Sequence, residues 1–194
     1  MLKLIKETSD YITNTTGFKP EIGIILGTGL GGLANEIETK HILEYGTIPN
    51  FPVSTVQGHS GTLILGVLGG KNVMAMKGRF HYYEGYTMKE VAFPVRVMKA
   101  MGINTLVVSN ASGGMNPDFV IGDLMVLTDH INLLPTNPLI GKNHPELGPR
   151  FPDMSETYSK ELNAKAFDIA AKHNIKLQKG VYAAVTGPCF ETPA

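Results

Sequence analysis

Apolar residues recur at two different spacings along the first part of the chain, and each spacing predicts one kind of element. Between residues 2 and 16, leucines and isoleucines stand among charged residues at helical spacing until Gly17 and Pro20, which predicts an amphipathic helix. A short apolar run over 22–26 predicts a strand, and apolar residues at i, i+3, i+4 and i+7 from Leu30 predict a helix. The chain is therefore expected to pass from a helix through a strand and a glycine loop into a second helix.

The middle of the chain predicts a hairpin followed by an interrupted helix. Two apolar segments, 63–68 and 73–76, flank a Gly-Gly-Lys-Asn turn, so this part of the sheet is predicted to be antiparallel. Thr87 and Glu90 have the spacing of a capping box, which predicts a helix start. Pro94 comes within that helix, so the helix is expected to be kinked or to start late.

The remaining pattern completes an α/β order. Buried strands are predicted at 105–108 and 124–127, each followed by small or polar residues, and α/β proteins build their sites at such strand ends. Prolines and glycines exclude regular structure over 131–151, before a helix over about 155–174 and a strand over about 181–185. This order predicts a three-layer α/β/α fold with a mixed central β-sheet.

Composition narrows the class of protein. Seventeen Lys plus Arg balance seventeen Asp plus Glu, so we expect no general attraction to nucleic acid or to an anionic membrane. Hydrophobic residues make up 43% of the chain without an apolar run of about 18 residues, which predicts a globular protein without a membrane span. Cys189 is the only cysteine, and charges interrupt the N-terminus, so a cytoplasmic protein is expected. No linker is evident, which predicts one domain over residues 1–194.

The first candidate site is the glycine loop after the strand at 22–26. Its sequence, Gly27-Thr28-Gly29-Leu30-Gly31-Gly32, satisfies G-x-G-x-x-G, so a dinucleotide-dependent oxidoreductase is one alternative. Glu44 could bind a ribose, but it comes only twelve residues after Gly32, and no βαβ repetition follows. Glycine amides, the Thr28 hydroxyl and a nearby helix N-terminus suit an anion such as phosphate, and a tight turn explains this segment equally well.

The second candidate site is the loop over residues 79–86, which contains one guanidinium, one imidazole and three phenols. Arg79 supplies a planar fork for phosphate oxygens, and His81 supplies a second donor. The tyrosines offer apolar faces with hydroxyl tips, which suit a sugar. A solvated surface loop is the alternative, and its aromatic content makes that interpretation weaker.

Two further strand ends carry candidate chemistry. Small residues over 110–114 allow a ligand to approach main-chain amides, although a plain turn would look similar. Phe190 and Glu191 offer a plane for stacking a base and a carboxylate for its ring N–H groups; packing and a surface charge are the alternative.

No metal site is predicted. The remaining candidate ligands lack the spacing of metal ligands along the sequence, and they are His59, Asp129, His130 and His144.

Six segments, taken in order, resemble the purine nucleoside phosphorylase family, the trimeric type that includes the methylthioadenosine phosphorylases. The resemblance runs from about residue 20 to the last residue. Each segment is weak alone, whereas six in this order are specific: 27–31, 57–59, 78–86, 110–114, 128–132 and 187–192.

The resemblance implies roles for individual residues. It implies a phosphate site of Thr28, His59, Arg79, His81 and the Ala111 amide, and a nucleoside site of Tyr83, Phe151, Phe190 and Glu191. His81 and Glu191 would be catalytic. Thr28 stands where the family commonly has serine, and it keeps the hydroxyl. Phe151 would cap the ribose bound by a neighbouring subunit, so a homotrimer is implied.

The implied reaction is phosphorolysis of a purine ribonucleoside or deoxyribonucleoside to the free base and (deoxy)ribose 1-phosphate, a step of purine salvage. Orthophosphate is the co-substrate, and no metal or other cofactor is implied. A carboxylate at Glu191 favours 6-oxopurines, with methylthioadenosine as the alternative substrate. The family continues past Ala194 with further base and ribose contacts, so we expect a C-terminally incomplete domain with little activity of its own. A non-catalytic binder of nucleoside or phosphate is the third alternative.

Overall fold

A computed structural model describes residues 1–53, 61–190 and 192. The chain forms two compact units, Met1–Ala111 and Ser112–Ala194, which are described in turn. Among the described residues, no helix combines the length and the apolar character needed to cross a bilayer.

The first unit is built on a five-stranded mixed sheet. Its strands are β1 (Ile22–Leu26), β2 (Glu38–Glu44), β3 (Thr62–Leu68), β4 (Lys71–Lys77) and β5 (Thr105–Val108). They lie in the order β2-β3-β4-β1-β5. β3 and β4 form the predicted antiparallel hairpin, and β1 is parallel to both β4 and β5. The carboxyl ends of β1, β4 and β5 therefore lie at one edge of the sheet, where a parallel arrangement places ligand sites.

The helices of this unit follow the sequence signals closely. They are α1 (Leu2–Thr16), α2 (Met88–Val91) and α3 (Phe93–Ala100). α1 ends where Gly17 adopts a φ of 63°, a left-handed conformation that glycine tolerates. The Thr87 hydroxyl accepts the Glu90 N–H, and the Glu90 carboxylate accepts the Thr87 N–H, which confirms the capping box. The expected interruption is also confirmed, since Pro94 lies in the first turn of α3, where its missing N–H has no helical partner to lose.

Apolar residues are buried on both faces of the β3–β4 hairpin. Leu63 and Leu65 belong to a core that also includes residues of α1 and α3, whereas Ile64 points into a second cluster with Ala34. This alternation follows the period of two in a strand. An aromatic group fills the end of the first core: the rings of Tyr45 and Phe51 lie 4.9 Å apart, and those of Tyr45 and Phe80 lie 5.3 Å apart.

The second unit contains β6 (Leu124–Asn132), α4 (Lys160–Lys172) and β7 (Leu177–Ala184). β6 and β7 are parallel. The Asn163 side chain donates to the Leu127 carbonyl at 3.0 Å, which joins α4 to β6. Asp123 accepts hydrogen bonds from Lys176 and Gln178, which fixes the start of β6 beside the start of β7.

Three expectations about the type or the start of individual elements are wrong. The predicted helix after Leu30 is a short 3₁₀ helix, Gly31–Glu36, because two glycines open it and β2, which the pattern did not predict, follows almost at once. The helix expected over 155–174 starts only at Lys160, where the Ser159 hydroxyl caps it, and the strand expected over 181–185 starts earlier, at Leu177.

The predicted burial of β5 is also wrong. Val107 and Val108 are 50% and 54% exposed. β5 is an edge strand of the five-stranded sheet and has one hydrogen-bonded neighbour, β1. Its side chains therefore have neighbouring strand residues on one side only, which leaves them more exposed than those of a central strand. The residues Thr128-Asp129-His130, expected at a strand end, lie inside β6.

Candidate active site

Three loops that leave β1, β4 and β5 are hydrogen-bonded to one another. The Gly27 N–H donates to the Ser109 hydroxyl at 3.1 Å, and the Arg79 guanidinium donates through Nη1 to the Ser109 carbonyl at 2.8 Å. Thr28 directly follows Gly27, and Ala111 lies two residues after Ser109. The structure therefore brings together the predicted glycine loop, the Arg79 loop and the start of the 110–114 segment.

The ends of β1 and β5 approach each other too closely for a side chain at Gly27. A Cβ atom there would lie 2.4 Å from the Ser109 carbonyl oxygen. Glycine is needed at this position because of the close approach, and the first glycine of the G-x-G-x-x-G pattern has a packing role.

Arg79 and His81 lie next to each other at the mouth of these loops. Arg79 Nε donates to His81 Nε2 at 3.4 Å. His81 Nδ1 lies 2.7 Å from Glu84 Oε1, which also accepts the His81 backbone N–H at 2.8 Å. A carboxylate only accepts hydrogen bonds, so the His81 proton sits on Nδ1, and Nε2 is the atom turned toward Arg79.

The burial of Glu84 holds the His81 ring in this orientation. The Glu84 side chain is only 2% exposed, whereas the His81 side chain is 31% exposed. The buried carboxylate holds Nδ1 and so directs Nε2 toward Arg79, as outer partners orient histidines in metal sites. The Tyr83 ring stacks on the His81 ring, with centroids 4.8 Å apart and an angle of 16° between the planes. Tyr83 is exposed, so its hydroxyl is open to a ligand.

The same loop is anchored to the core from below. Phe80, between Arg79 and His81, is buried against Tyr45 and Tyr86. The Tyr45 hydroxyl donates to the Gly78 carbonyl at 2.7 Å, immediately before Arg79. Burial raises the pKa of Tyr45 well above its ordinary value, so this hydroxyl remains a donor.

Phe151 and Phe190 belong to the second unit. Both are almost fully exposed, at 87% and 94%. Phe151 lies beside Leu139 and Ile140 on the wall of a groove of about 680 Å³. Arg150 donates from Nη1 to the carbonyls of Leu139 and Gly141 at 3.0 and 2.9 Å, which joins the two sides of this groove. The two other predicted site residues, His59 and Glu191, lie outside the described residues.

The topology does not support dinucleotide binding by the glycine loop. β2, the strand that follows the glycine loop, pairs antiparallel with β3 and is not a neighbour of β1, whereas a dinucleotide-binding unit requires this next strand to lie parallel to β1 and beside it. Glu44, the candidate ribose acid, is an exposed residue at the end of β2. Within the described part of the chain, no group of three or more His, Cys, Asp or Glu side chains is placed to hold a metal ion.

Sequence reasoning missed three residues that organise this region. Glu84 stands three residues after His81, the spacing of a capping box, and this signal could have identified it. The Ser109 hydroxyl had no local signal beyond its place at a strand end. Tyr45 had none, because its partner Gly78 is 33 residues away.

Comparisons with known proteins agree with one another. Residues 21–194 match the sequence profile of the Phosphorylase superfamily. The chain is 57% identical over 190 residues to purine nucleoside phosphorylase 1 of Bacillus subtilis, covering 98% of this chain and 70% of that protein.

Solved structures give the same result. One is a purine nucleoside phosphorylase in complex with ribose-1-phosphate, which has a TM-score of 0.94 and 45% identity over 99% of this chain and 73% of that one. Another is the Schistosoma mansoni purine nucleoside phosphorylase in complex with inosine, with a TM-score of 0.94 and 43% identity over 99% and 69%. These matches confirm the predicted α/β class with a mixed central sheet.

Proposed function

Because the chain belongs to the phosphorylase superfamily, we propose that it is a purine nucleoside phosphorylase, a pentosyltransferase of nucleoside metabolism. The observation that carries this proposal is the hydrogen-bonded meeting of the glycine loop, Arg79 and Ser109 at one sheet edge. That arrangement supplies amides, a guanidinium and an imidazole for a phosphate, and the relatives bear the name of the corresponding enzyme.

Orthophosphate is the proposed nucleophile, and it binds at the three loops of the first unit. The Arg79 fork takes two of its oxygens, and the His81 ring, held at Nδ1 by Glu84, places Nε2 beside them. The Thr28 hydroxyl, the Ala111 amide and His59 complete the proposed phosphate site. These groups hold the nucleophile in one orientation, which is the main contribution that a protein makes to such a displacement.

The proposed reaction joins a phosphate oxygen to the anomeric carbon while the bond from that carbon to purine N9 breaks. The electron pair of the broken bond goes to the purine, and the sugar passes through an oxocarbenium-like state. Glu191 accepts hydrogen bonds from the ring N–H of the leaving base, Phe190 lies against its plane, and Tyr83 contacts the ribose. A complex of one relative with inosine and a complex of another with ribose-1-phosphate support this substrate and product.

A carboxylate at Glu191 suits the N1–H of 6-oxopurines, so inosine and guanosine, with their deoxyribose forms, are the proposed substrates. The comparisons give no support to methylthioadenosine cleavage or to a dinucleotide-dependent oxidoreductase. We propose that the reaction needs no cofactor, with orthophosphate as the co-substrate. The enzyme is proposed to work in the cytoplasm, and both units are proposed to belong to one domain, since the profile match runs through both.

Whatever the rate of turnover, we expect the release of hypoxanthine from inosine to require orthophosphate, with adenosine cleaved far more slowly than inosine. The measurement is a coupled hypoxanthine assay on the purified, mass-verified protein, with and without millimolar phosphate. Arsenate in place of phosphate serves as a positive control for the anion requirement. Release in phosphate-free buffer at the same rate would identify a hydrolase and contradict the proposal.

We further propose a homotrimer in which Phe151 reaches the site of a neighbouring copy. The proposal is supported by the exposure of Phe151 together with Leu139, Ile140 and Met154 around one groove. Light scattering is expected to give three times the 21.0 kDa mass of one chain. Phe151→Ala is expected to raise KM for inosine, whereas Met115→Ala, equally exposed in the wild type at 87%, is expected to leave it unchanged. A fully active monomer would contradict the proposal.

A further inference from the structure

We propose that the Ser109 hydroxyl is a positioning residue that sets the distance between the glycine loop and Arg79. This inference rests on the proposed function, since it assigns a further residue to the same anion site. Ser109 Oγ accepts the Gly27 N–H at 3.1 Å and donates to the Ile25 carbonyl at 3.3 Å. One small side chain therefore uses both its accepting and its donating capacity on the end of β1.

The place of Ser109 in the sheet explains why its hydroxyl matters. The β1–β5 ladder ends with Ile25 beside Val108, and Ser109 is the first residue beyond it. The Ser109 backbone N–H still reaches the Ile25 carbonyl at 3.1 Å, but the regular pairing does not extend to Gly27. The side-chain hydroxyl supplies the partner for the Gly27 N–H, so it extends the join between the two strands past the ladder.

The backbone carbonyl of Ser109 holds the Arg79 guanidinium in place. Arg79 Nη1 donates to the Ser109 carbonyl at 2.8 Å. A shift of Ser109 would therefore move the guanidinium and the glycine loop relative to each other. Anion sites depend on such spacing, because donors must be held within about 0.5 Å of the productive geometry. Ser109 acts through Gly27 and Arg79, and no contact between its own side chain and the anion is required.

The test compares Ser109→Ala, which removes the hydroxyl, with Ser109→Thr, which keeps it. Ser9→Ala is the matched control, since the Ser9 hydroxyl donates to the Lys6 carbonyl within α1. For Ser109→Ala we expect KM for orthophosphate to rise about tenfold, the effect of one lost hydrogen bond, with KM for inosine within about twofold of wild type. Ser109→Thr is expected to restore KM for orthophosphate, and Ser9→Ala is expected not to change it.

A wild-type KM for orthophosphate in Ser109→Ala, or a failure of Ser109→Thr to restore it, would overturn the inference. Calorimetric titration of the same proteins with orthophosphate separates this result from the proposed function. If the wild type binds orthophosphate without cleaving inosine, the function fails, and the Ser109 role is still decided by the dissociation constants. If the wild type does not bind orthophosphate, both fail.

Hydrogen exchange of the wild type covers the case in which Ser109→Ala does not fold. The Gly27 amide is expected to be protected by its bond to the Ser109 hydroxyl. Exchange of that amide at the rate of an unstructured peptide would overturn the inference without any variant.

Discussion

Replacement of Arg79 by alanine is expected to remove most of the ability to use orthophosphate. Loss of a charge-assisted, two-pronged contact should cost about 2 to 4 kcal/mol at the transition state. That range corresponds to a fall of about thirtyfold to a thousandfold in kcat/KM for orthophosphate. Binding of the nucleoside should change much less, because the proposed base contacts come from Phe190 and Glu191. Initial rates over a matrix of phosphate and inosine concentrations measure the two effects separately.

Two further variants make the Arg79 experiment specific. Arg79→Lys keeps the charge without the planar fork, so it should recover only part of the lost activity. Lys71→Ala removes one exposed positive charge at the opposite end of β4 and should leave the phosphate dependence unchanged. If Arg79→Ala and Lys71→Ala gave the same phosphate dependence as the wild type, Arg79 would have no role in binding the anion.

Tyr45→Phe is expected to lower the free energy of unfolding by about 1 to 3 kcal/mol at pH 7, because the half-buried Gly78 carbonyl loses its only described side-chain donor. Tyr45 is 1% exposed, and its hydroxyl donates to the Gly78 carbonyl. The phenylalanine ring keeps the contacts with Phe51 and Phe80, so the variant isolates the hydroxyl. Urea unfolding followed by circular dichroism measures the difference. Tyr83→Phe, which removes an exposed hydroxyl, should change stability by no more than about 0.5 kcal/mol.

The difference in unfolding free energy between the wild type and Tyr45→Phe is expected to depend on pH. Burial raises the folded-state pKa of Tyr45 above its unfolded value, so the stabilisation is fully present below pH 10 and is lost as the pH rises beyond it. Above pH 10, deprotonation of Tyr45 lowers the free energy of the unfolded wild type alone, by about 1.4 kcal/mol per pH unit. The advantage of wild type over Tyr45→Phe should therefore shrink between pH 10 and 11. A constant difference over that interval would show that Tyr45 ionises equally in both states.

The parts of the fold that were predictable have local causes. The capping box of Thr87 and Glu90, the Gly17 helix end and the turn between β3 and β4 each depend on residues within a few positions. β2 was missed because its sequence is mostly polar and exposed, so pairing with β3 rather than burial makes it a strand. Sequence patterns report burial periodicity, and a strand held mainly by its backbone gives a weak signal.

The residues of the candidate site were also predictable only in part. Arg79 and Thr28 were predictable because they follow strands, and parallel strands deliver their ends to one edge. The bonds that fix them were not, because Ser109 meets Gly27 across 82 residues and Tyr45 meets Gly78 across 33. Such pairings follow only from the strand order, which composition and spacing do not specify.

The position of β1 at the middle of its neighbours has a consequence for synthesis of the protein on the ribosome. Ile22 pairs with Val73 on one side and with Thr105 on the other, so β1 leaves the ribosome long before either partner. The β3–β4 hairpin can form locally and then pair with β1 through β4, but the other edge of the apolar β1 strand must wait unpaired until residues 105–108 emerge. Pairings so distant along the chain slow folding and leave an exposed edge on which nascent chains aggregate. Chaperone protection of the first hundred residues during synthesis is therefore expected to raise the yield of this protein.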